Sequence, residues 1–427
     1  MRPAMTPNPA LNGAGERRRA VVVGAGIVGI CVASRLEREG WRVTLLDRAG
    51  PAEGASFGNA SVLATEAVVP VATPGIAWRV PGLLADPLGP LALRWGYLPR
   101  LAPWLIRFIA ASRPDRVEEI SRALAALLSG AVEAYRPYLE AAGVQDMIVR
   151  RGWIGAYTTR DGFEASAADR TLQRRRGVEL HEIGPSEMRQ MEPALASDLH
   201  AGVFYPNVAH SVQSYRLATR LAEAFQAEGG EILRAEALGF EVSEGQITAV
   251  RSAEGPLPCG AVVLTAGAWS KGLAGELGAE APLDTERGYH LSIPDPGIEL
   301  SRPVYSTEFA MACTPLEDGL RLGGTVEMGG LAAPPNWKRA EVLSQRAKRL
   351  FPDLDPAGAS RWMGFRPSLP DSLPVIGLSP RYPNAALAFG HGHLGLTLAA
   401  RTANLIADLL AGRDPDIDPR PYRADRF

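Results

Sequence analysis

Residues 19–29 read Arg19-Ala20-Val21-Val22-Val23-Gly24-Ala25-Gly26-Ile27-Val28-Gly29, a β-branched run that opens directly into a G-x-G-x-x-G turn. Apolar residues then recur at helical spacing, at Ile27, Ile30, Cys31 and Leu36, and Gly40 stands where such a helix would stop. Trp41 to Leu46 is a second strand-like run, ending at Asp47 and Arg48. Strand, glycine turn, helix and strand together make a β-α-β unit. The glycines let backbone approach a pyrophosphate, whose charge is met by N–H groups at the helix start. Asp47 follows the glycines at about the 20-residue distance from which an acid reaches the ribose. Gly24, Gly26, Ile27, Val28, Gly29, Asp47 and Arg48 are therefore the first cofactor-binding candidates. A structural turn with a chance aspartate is the plainer alternative; it accounts for the glycines but not for the spacing.

A second glycine pattern, Gly390-His391-Gly392-His393-Leu394-Gly395, also sits between a strand (Ala385 to Phe389) and a helix (Leu396 to Leu410). A nicotinamide site there would need a following strand that carries an acid. Instead the chain runs into Gly412-Arg413-Asp414-Pro415 and on to Phe427, so no second β-α-β unit is expected to close. A helix start aimed at something electron-rich suits a flavin, whose reduced ring edge carries negative charge. One nucleotide site and one such helix disfavour a pyridine-nucleotide reductase.

Working outward, Pro51 to Ser61 is too rich in Gly, Ser and Asn for regular structure, and Leu91 to Ala142 is largely helical in pattern. Ser214 to Ala227 reads as a helix, and Glu231 to Ser252 as a strand series before a buried strand at Ala261 to Thr265. Tyr289 to Glu327 alternates short strands with turns, the pattern of an antiparallel sheet. The expected organisation is a disordered arm (1–16), an FAD-binding unit (17–92, 206–283 and 361–427) and a substrate unit (93–205 and 284–360). The fold class is α/β: a Rossmann-like domain beside an α+β domain built on a large antiparallel sheet.

Over 427 residues, 46 % apolar and 22 % charged content are those of a globular protein, and a net charge of −2 gives no nucleic-acid footprint. The three cysteines, Cys31, Cys259 and Cys313, are too scattered for a disulfide framework or a metal cluster, so no metal is expected and a reducing compartment is. The N-terminus has no apolar signal-like core, which points to a cytoplasmic protein.

Four segments carry a resemblance. They are Val21 to Arg48 with Gly54-Ala55-Ser56-Phe57-Gly58-Asn59-Ala60-Ser61; Val262 to Ser270; Gly364 to Gly377; and Ala388 to Thr397. Together they resemble the D-amino acid oxidase family of flavoproteins, and within it the bacterial D-amino acid dehydrogenase small-subunit group. The resemblance implies FAD. Besides the residues above, it implies that Ser56, Asn59 and Ala60 line the pyrophosphate and flavin loop, and that Thr265, Ala266 and Gly267 make a second cofactor contact. Gly390, Gly392, His393, Leu394, Gly395 and Thr397 would lie at the flavin ring. Ser61 departs from the pattern, since many relatives place Gly there.

By the same resemblance Arg366 pairs with the substrate carboxylate, and a planar guanidinium can hold a carboxylate bidentately. With the substrate so fixed, the implied reaction is oxidative deamination of a D-amino acid, of the D-proline or hydroxy-D-proline type among others, by hydride transfer from the α carbon to flavin N5. A quinone or other acceptor then takes the electrons. The imino acid hydrolyses in water, and no obligatory acid or base is needed if the amine reacts neutral. His391 and His393 either act on the ring and its protons or cap their loop. Tyr289 and His290 either line the pocket or pack the sheet. No cysteine lies in the flavin loops, so the FAD is expected to be non-covalent. Leu91 to Ala110 holds too many arginines and prolines to span a bilayer. It reads as a core or lid helix, or as an interfacial one that brings the enzyme to the inner face of the membrane. Two rival functions remain at this stage. One is an oxygen-using oxidase of D-amino acids, glycine or secondary amines such as sarcosine. The other is a non-catalytic flavin-holding subunit of a larger complex.

Overall fold

The computed structural model describes residues 17–427; the arm expected over 1–16 lies outside the described residues. The opening run forms a strand over Arg19–Val23, a helix over Ile27–Arg38 and a strand over Arg42–Asp47, with Gly40 at φ +92° in the connection. These strands belong to a six-stranded sheet with the order 231–234, 42–47, 19–23, 261–264, 385–389, 375–378. All its pairs are parallel except the last. Because side chains alternate, Ala20 and Val22 point to one face and Val21 and Val23 to the other. The first face is covered by the helices Ile27–Arg38, Ser214–Ala227 and Gly395–Leu410. The second meets a three-stranded sheet over residues 237–258, through Phe240, Ile247 and Val250. A mostly parallel sheet with helices on one face and a small antiparallel sheet on the other is a Rossmann-like arrangement, buried on both sides.

The second sheet has nine strands, with the order 360–368, 284–293, 319–328, 311–316, 304–306, 153–157, 201–205, 181–183; residues 91–93 pair beside 326–328. Its pairs are antiparallel except 304–306 with 153–157 and 91–93 with 326–328. One face packs on the helix Lys338–Leu350 through Leu291, Met311, Cys313, Leu322 and Leu343. The other face turns towards the six-stranded sheet, and Thr314 donates to the Ala60 carbonyl at 2.8 Å.

Two expected boundaries fall inside this sheet. Ser360–Ser368, placed at the start of the last FAD-binding segment, pairs along its length with Asp284–Ile293. Leu91–Leu93, at the end of the first segment, pairs with Val326–Met328. In both cases the partner strand is far away in sequence, so composition could not mark the crossing. The Leu91–Ala142 stretch is helical as read, apart from that short strand.

Candidate active site

A cavity of about 640 Å³ lies between the two large sheets. At one end the glycine turn closes on the neighbouring strand. A Cβ at Gly24, whose φ is +109°, would sit 2.6 Å from the Thr265 carbonyl oxygen, and one at Gly29 would sit 1.8 Å from the Gly24 oxygen. Only glycine allows this approach of helix to strand. Asp47 braces the turn: Oδ2 accepts from the Ala25 N–H at 2.8 Å, while Oδ1 accepts from Ala49 and Gly50. Arg48 lies over the Trp269 ring at 4.2 Å. Thr265 donates to the carbonyls of Val23 and Gly24. The Ile27 N–H donates to Ser56 Oγ at 3.0 Å, and the Asn59 carbonyl accepts from Arg321 at 2.8 Å. The turn-rich loop is thus clamped between the first helix and the nine-stranded sheet. Ser61, where the resemblance leads one to expect glycine, has φ +61° and is fully buried. Its Oγ accepts from the Ser214 N–H at 3.3 Å, which offsets part of the left-handed strain.

The lining includes every cofactor-binding candidate except Gly29, Gly390, Leu394 and Thr397. Those four shape the walls instead. Thr397 is fully buried and its Oγ1 accepts from the Ala64 N–H at 3.0 Å, so the hydroxyl fixes the loop entry. Leu394 faces the far side of its loop, against a small second cavity. Gly390, at φ +81°, leaves room for Leu369, which a Cβ would meet at 2.4 Å. The loop is joined to the other sheet because the Gly392 N–H donates to the Pro367 carbonyl at 2.7 Å.

At the other end, two neighbouring strands present alternate residues to the cavity. Their register sets Glu286 opposite Arg366, Gly288 opposite Gly364, and His290 opposite Trp362. The Arg366 guanidinium lies flat over Gly288, where a Cβ would stand 2.5 Å from Cζ. Nη1 donates to the Thr325 carbonyl at 3.2 Å. Among the described residues no carboxylate lies within ion-pair distance of Arg366. Burial pulls its pKa below the usual guanidinium value, with Glu286 and Tyr305 opposing. Trp362 fills the space over Gly364 and Gly58, and stacks on His290 at 4.9 Å.

The four remaining candidates separate. His290 lines the cavity, and Gly58 O lies 3.1 Å from its Nδ1; burial, helped by Arg321, takes its pKa down to about 3, so it is neutral. Tyr289 points to the opposite, core face, where its hydroxyl donates to Glu327 and accepts from the Asn336 N–H at 3.0 Å. His391 is buried with Nε2 3.0 Å from Thr402 Oγ1, a bond that pins the loop to its helix; burial holds its pKa down at about 3. His393 is exposed on the cavity wall, where partial loss of water lowers its pKa from the usual imidazole value, with Arg366 adding to this and Glu286 opposing. Glu286, Gly288, Gly58 and Trp362 were not singled out from the sequence. Alternation within R-G-Y-H-L and W-M-G-F-R-P could have flagged Gly288 and Trp362, but only with the pairing of the two strands in hand.

Residues 19–409 match the DAO family, described as FAD-dependent oxidoreductases. The chain belongs to this family. DAO relatives include a D-amino-acid oxidase of Bradyrhizobium diazoefficiens, 40 % identical over 96 % of this chain and 99 % of the relative. A D-amino acid dehydrogenase 2 of Ralstonia nicotianae is 35 % identical over 95 % and 99 %. Among solved structures, glycine oxidase of Geobacillus kaustophilus superposes with a TM-score of 0.74 at 21 % identity, covering 96 % of this chain and 99 % of that one. L-proline dehydrogenase of P. horikoshii gives 0.74 at 19 % identity, covering 96 % and 98 %. At such identities these structures speak for the fold alone. As a DAO-family enzyme the protein uses FAD, and the site fits it. The glycine cradle leaves backbone bare for a pyrophosphate, and the cavity continues from there to Arg366.

Proposed function

We propose that this protein oxidises the C–N bond of a D-amino acid, binding FAD non-covalently along the cavity and the substrate at Arg366. The carrying observation is a half-buried guanidinium at the end of the cavity remote from the glycine cradle, without an ion-pair partner among the described residues. A cation partly stripped of water and left without a counter-ion is costly, and a substrate carboxylate would relieve that cost. Gly288 supports the reading because it lets the guanidinium lie flat, in the geometry that holds a carboxylate by two parallel bonds. FAD, when bound, supplies the acceptor for the hydride of the substrate α carbon. The chain's own part is positioning. Arg366 fixes the carboxylate, Trp362 and the Gly392–His393 loop enclose the site, and neutral His290 adds no charge beside a neutral substrate amine. The imino acid that leaves hydrolyses in water to a keto acid and ammonia. His391 and Tyr289 are assigned positioning roles. The three cysteines are all buried and off the cavity, in keeping with non-covalent FAD.

For the division of labour, the six-stranded sheet with its helices forms the FAD unit and the nine-stranded sheet the substrate unit. The electron acceptor is a quinone or another carrier. The relative named D-amino-acid oxidase favours oxygen as the second reading, and parallel assays with oxygen and with a quinone or dye acceptor separate the two. The function itself is tested by anaerobic mixing with paired D- and L-amino acids, both prolines, glycine and sarcosine. Bleaching of the flavin by D-isomers is expected, with apolar and cyclic side chains leading. Bleaching by sarcosine or glycine alone would move the enzyme to that class, and no bleaching with FAD bound would count against catalysis.

A further inference from the structure

The ladder beside Arg366 contains one irregularity. Asp284–Ile293 pairs with Gly319–Met328, but the register slips: Arg287 stands opposite Glu327 and Tyr289 opposite Gly324. Thr325 and Val326 therefore share the single position that faces Gly288, which makes a β-bulge. Thr325 takes φ +56°, in the left-handed region, although a β-branched residue suits that region least. The two residues before it are glycines, yet neither Gly323 nor Gly324 has a positive φ. The Thr325 hydroxyl brings no compensation, because Oγ1 is buried without a hydrogen-bond partner among the described residues.

Local preference would not put the left-handed turn at Thr325, so contacts from elsewhere hold it there. Arg339 donates to the Val326 carbonyl at 3.1 Å, and the Val326 N–H donates to the Pro90 carbonyl at 2.7 Å. The next residue, Glu327, is buried on the core face. It accepts from Arg94 at 2.8 Å, from Arg287 at 3.0 Å and from the Tyr289 hydroxyl. A carboxylate shared by two arginines and a phenol fixes the register of both strands. Strain held in place by its surroundings in this way clusters at functional sites.

The consequence appears on the cavity face. In a regular ladder a backbone carbonyl bonds to the neighbouring strand, in the plane of the sheet. Here the Thr325 carbonyl accepts from a side chain instead, Arg366 Nη1, at 3.2 Å. Among the described residues this is the only hydrogen bond of that guanidinium. We propose that the bulge aims Arg366 at the substrate carboxylate, through the Thr325 carbonyl on the cavity face and the Glu327 clamp behind it. The carbonyl takes one of the five N–H donors and holds the guanidinium plane on Gly288, the residue opposite the bulge. The remaining donors stay free for two parallel bonds to a carboxylate. Thr325 and Glu327 are positioning residues, and neither is asked to touch the substrate. The inference rests on the reading of Arg366 given above and adds the part of the fold that orients it.

The test uses the FAD-loaded enzyme and propionate, a carboxylate without the amine that the reaction needs, with its Kd read from the change in flavin absorbance. Glu327→Gln loosens the clamp, and deletion of Thr325 would restore a regular ladder with Val326 opposite Gly288. Each should raise the Kd for propionate about tenfold or more. Tyr289→Phe, a milder change that removes one bond to Glu327, should raise it about threefold. In Glu327→Gln the KM for the best D-amino acid should rise about tenfold while kcat falls less than about threefold. Flavin content should hold, and each Kd is measured well below that variant's Tm, where lower stability alone leaves binding unmoved. A wild-type Kd in the FAD-loaded variants, or a fall in kcat with KM unchanged, would overturn the proposal. Arg366→Ala separates the two readings. If it leaves propionate binding intact, Arg366 is not the carboxylate site and both readings fall. If it abolishes binding while the clamp variants bind as wild type, only the positioning proposal falls.

Discussion

Arg366 is held for recognition by its neighbours' lack of side chain as much as by bonds. Its guanidinium touches the Thr325 carbonyl and rests on Gly288. Truncating this side chain to a methyl group would leave a bound carboxylate without its cation in a dry site, at a cost of about 2–5 kcal/mol. Arg366→Ala should therefore lower kcat/KM by that amount with FAD still bound. Steady-state kinetics with an artificial acceptor measure it, and an unchanged kcat/KM would remove the carboxylate from this residue. Gly288→Ala tests the same geometry more gently. The new methyl would displace the guanidinium, so KM is expected to rise with flavin content intact; a wild-type KM would show that the flat arrangement is unnecessary. The resemblance marked position 61 as a glycine site, and Ser61 at φ +61° shows the reason. The hydroxyl bond to Ser214 that makes serine tolerable there could not be read from the sequence, since it joins residues far apart in the chain.

At the scale of elements, the β-α-β unit was legible because all of its determinants are local: a β-branched strand, a glycine turn, a helical stripe and a terminal acid. Gly29 fits no cavity contact, yet it sets how closely the helix meets the strand. Gly29→Ala would push a Cβ against the Gly24 carbonyl, which is backbone and cannot swing aside. An overpacking cost of about 1–3 kcal/mol is expected, read as a lower Tm together with faster loss of FAD on dilution. A stable, fully yellow Gly29→Ala protein would contradict this account. The second glycine loop was legible as a strand-to-helix turn, but the partners of its residues were not. Both histidines border the cavity, but His391 is buried with Nε2 turned to Thr402 while His393 is exposed there, a choice made by the packing of the final helix.

For the whole molecule, buried ionisable groups set a pH window of stability. Burial lowers His210 to about 4, and His290 and His391 to about 3. Below the unfolded histidine value of about 6.5 the unfolded chain takes up protons that the fold refuses, so stability falls as pH falls from there. Glu66 works in the other direction. Its burial raises the pKa to about 8, so stability is lost as pH rises from about 4.5 through 8, where only the unfolded chain ionises readily. Three histidines outweigh one carboxyl on the acid side; on the alkaline side Glu66 acts up to about pH 8, and the three buried cysteines, whose thiols burial also pushes up, act above it. The Tm of the holoenzyme should peak at about pH 6–7, which a scan from pH 5 to 9 would reveal. A Tm that fails to fall between pH 7 and 8 would mean Glu66 is paired. By itself the sequence determined the dinucleotide unit, the family with its FAD, and Arg366 as the residue to watch, since motifs of a few adjacent residues suffice for each. Tertiary structure alone decided that strands 284–293 and 360–368 pair in the register that sets Arg366 on Gly288 and His290 on Trp362. It also decided that the neighbouring ladder bulges at Thr325, opposite Gly288. Both outcomes depend on contacts between distant segments, and nothing in a local pattern specifies which distant segment will arrive.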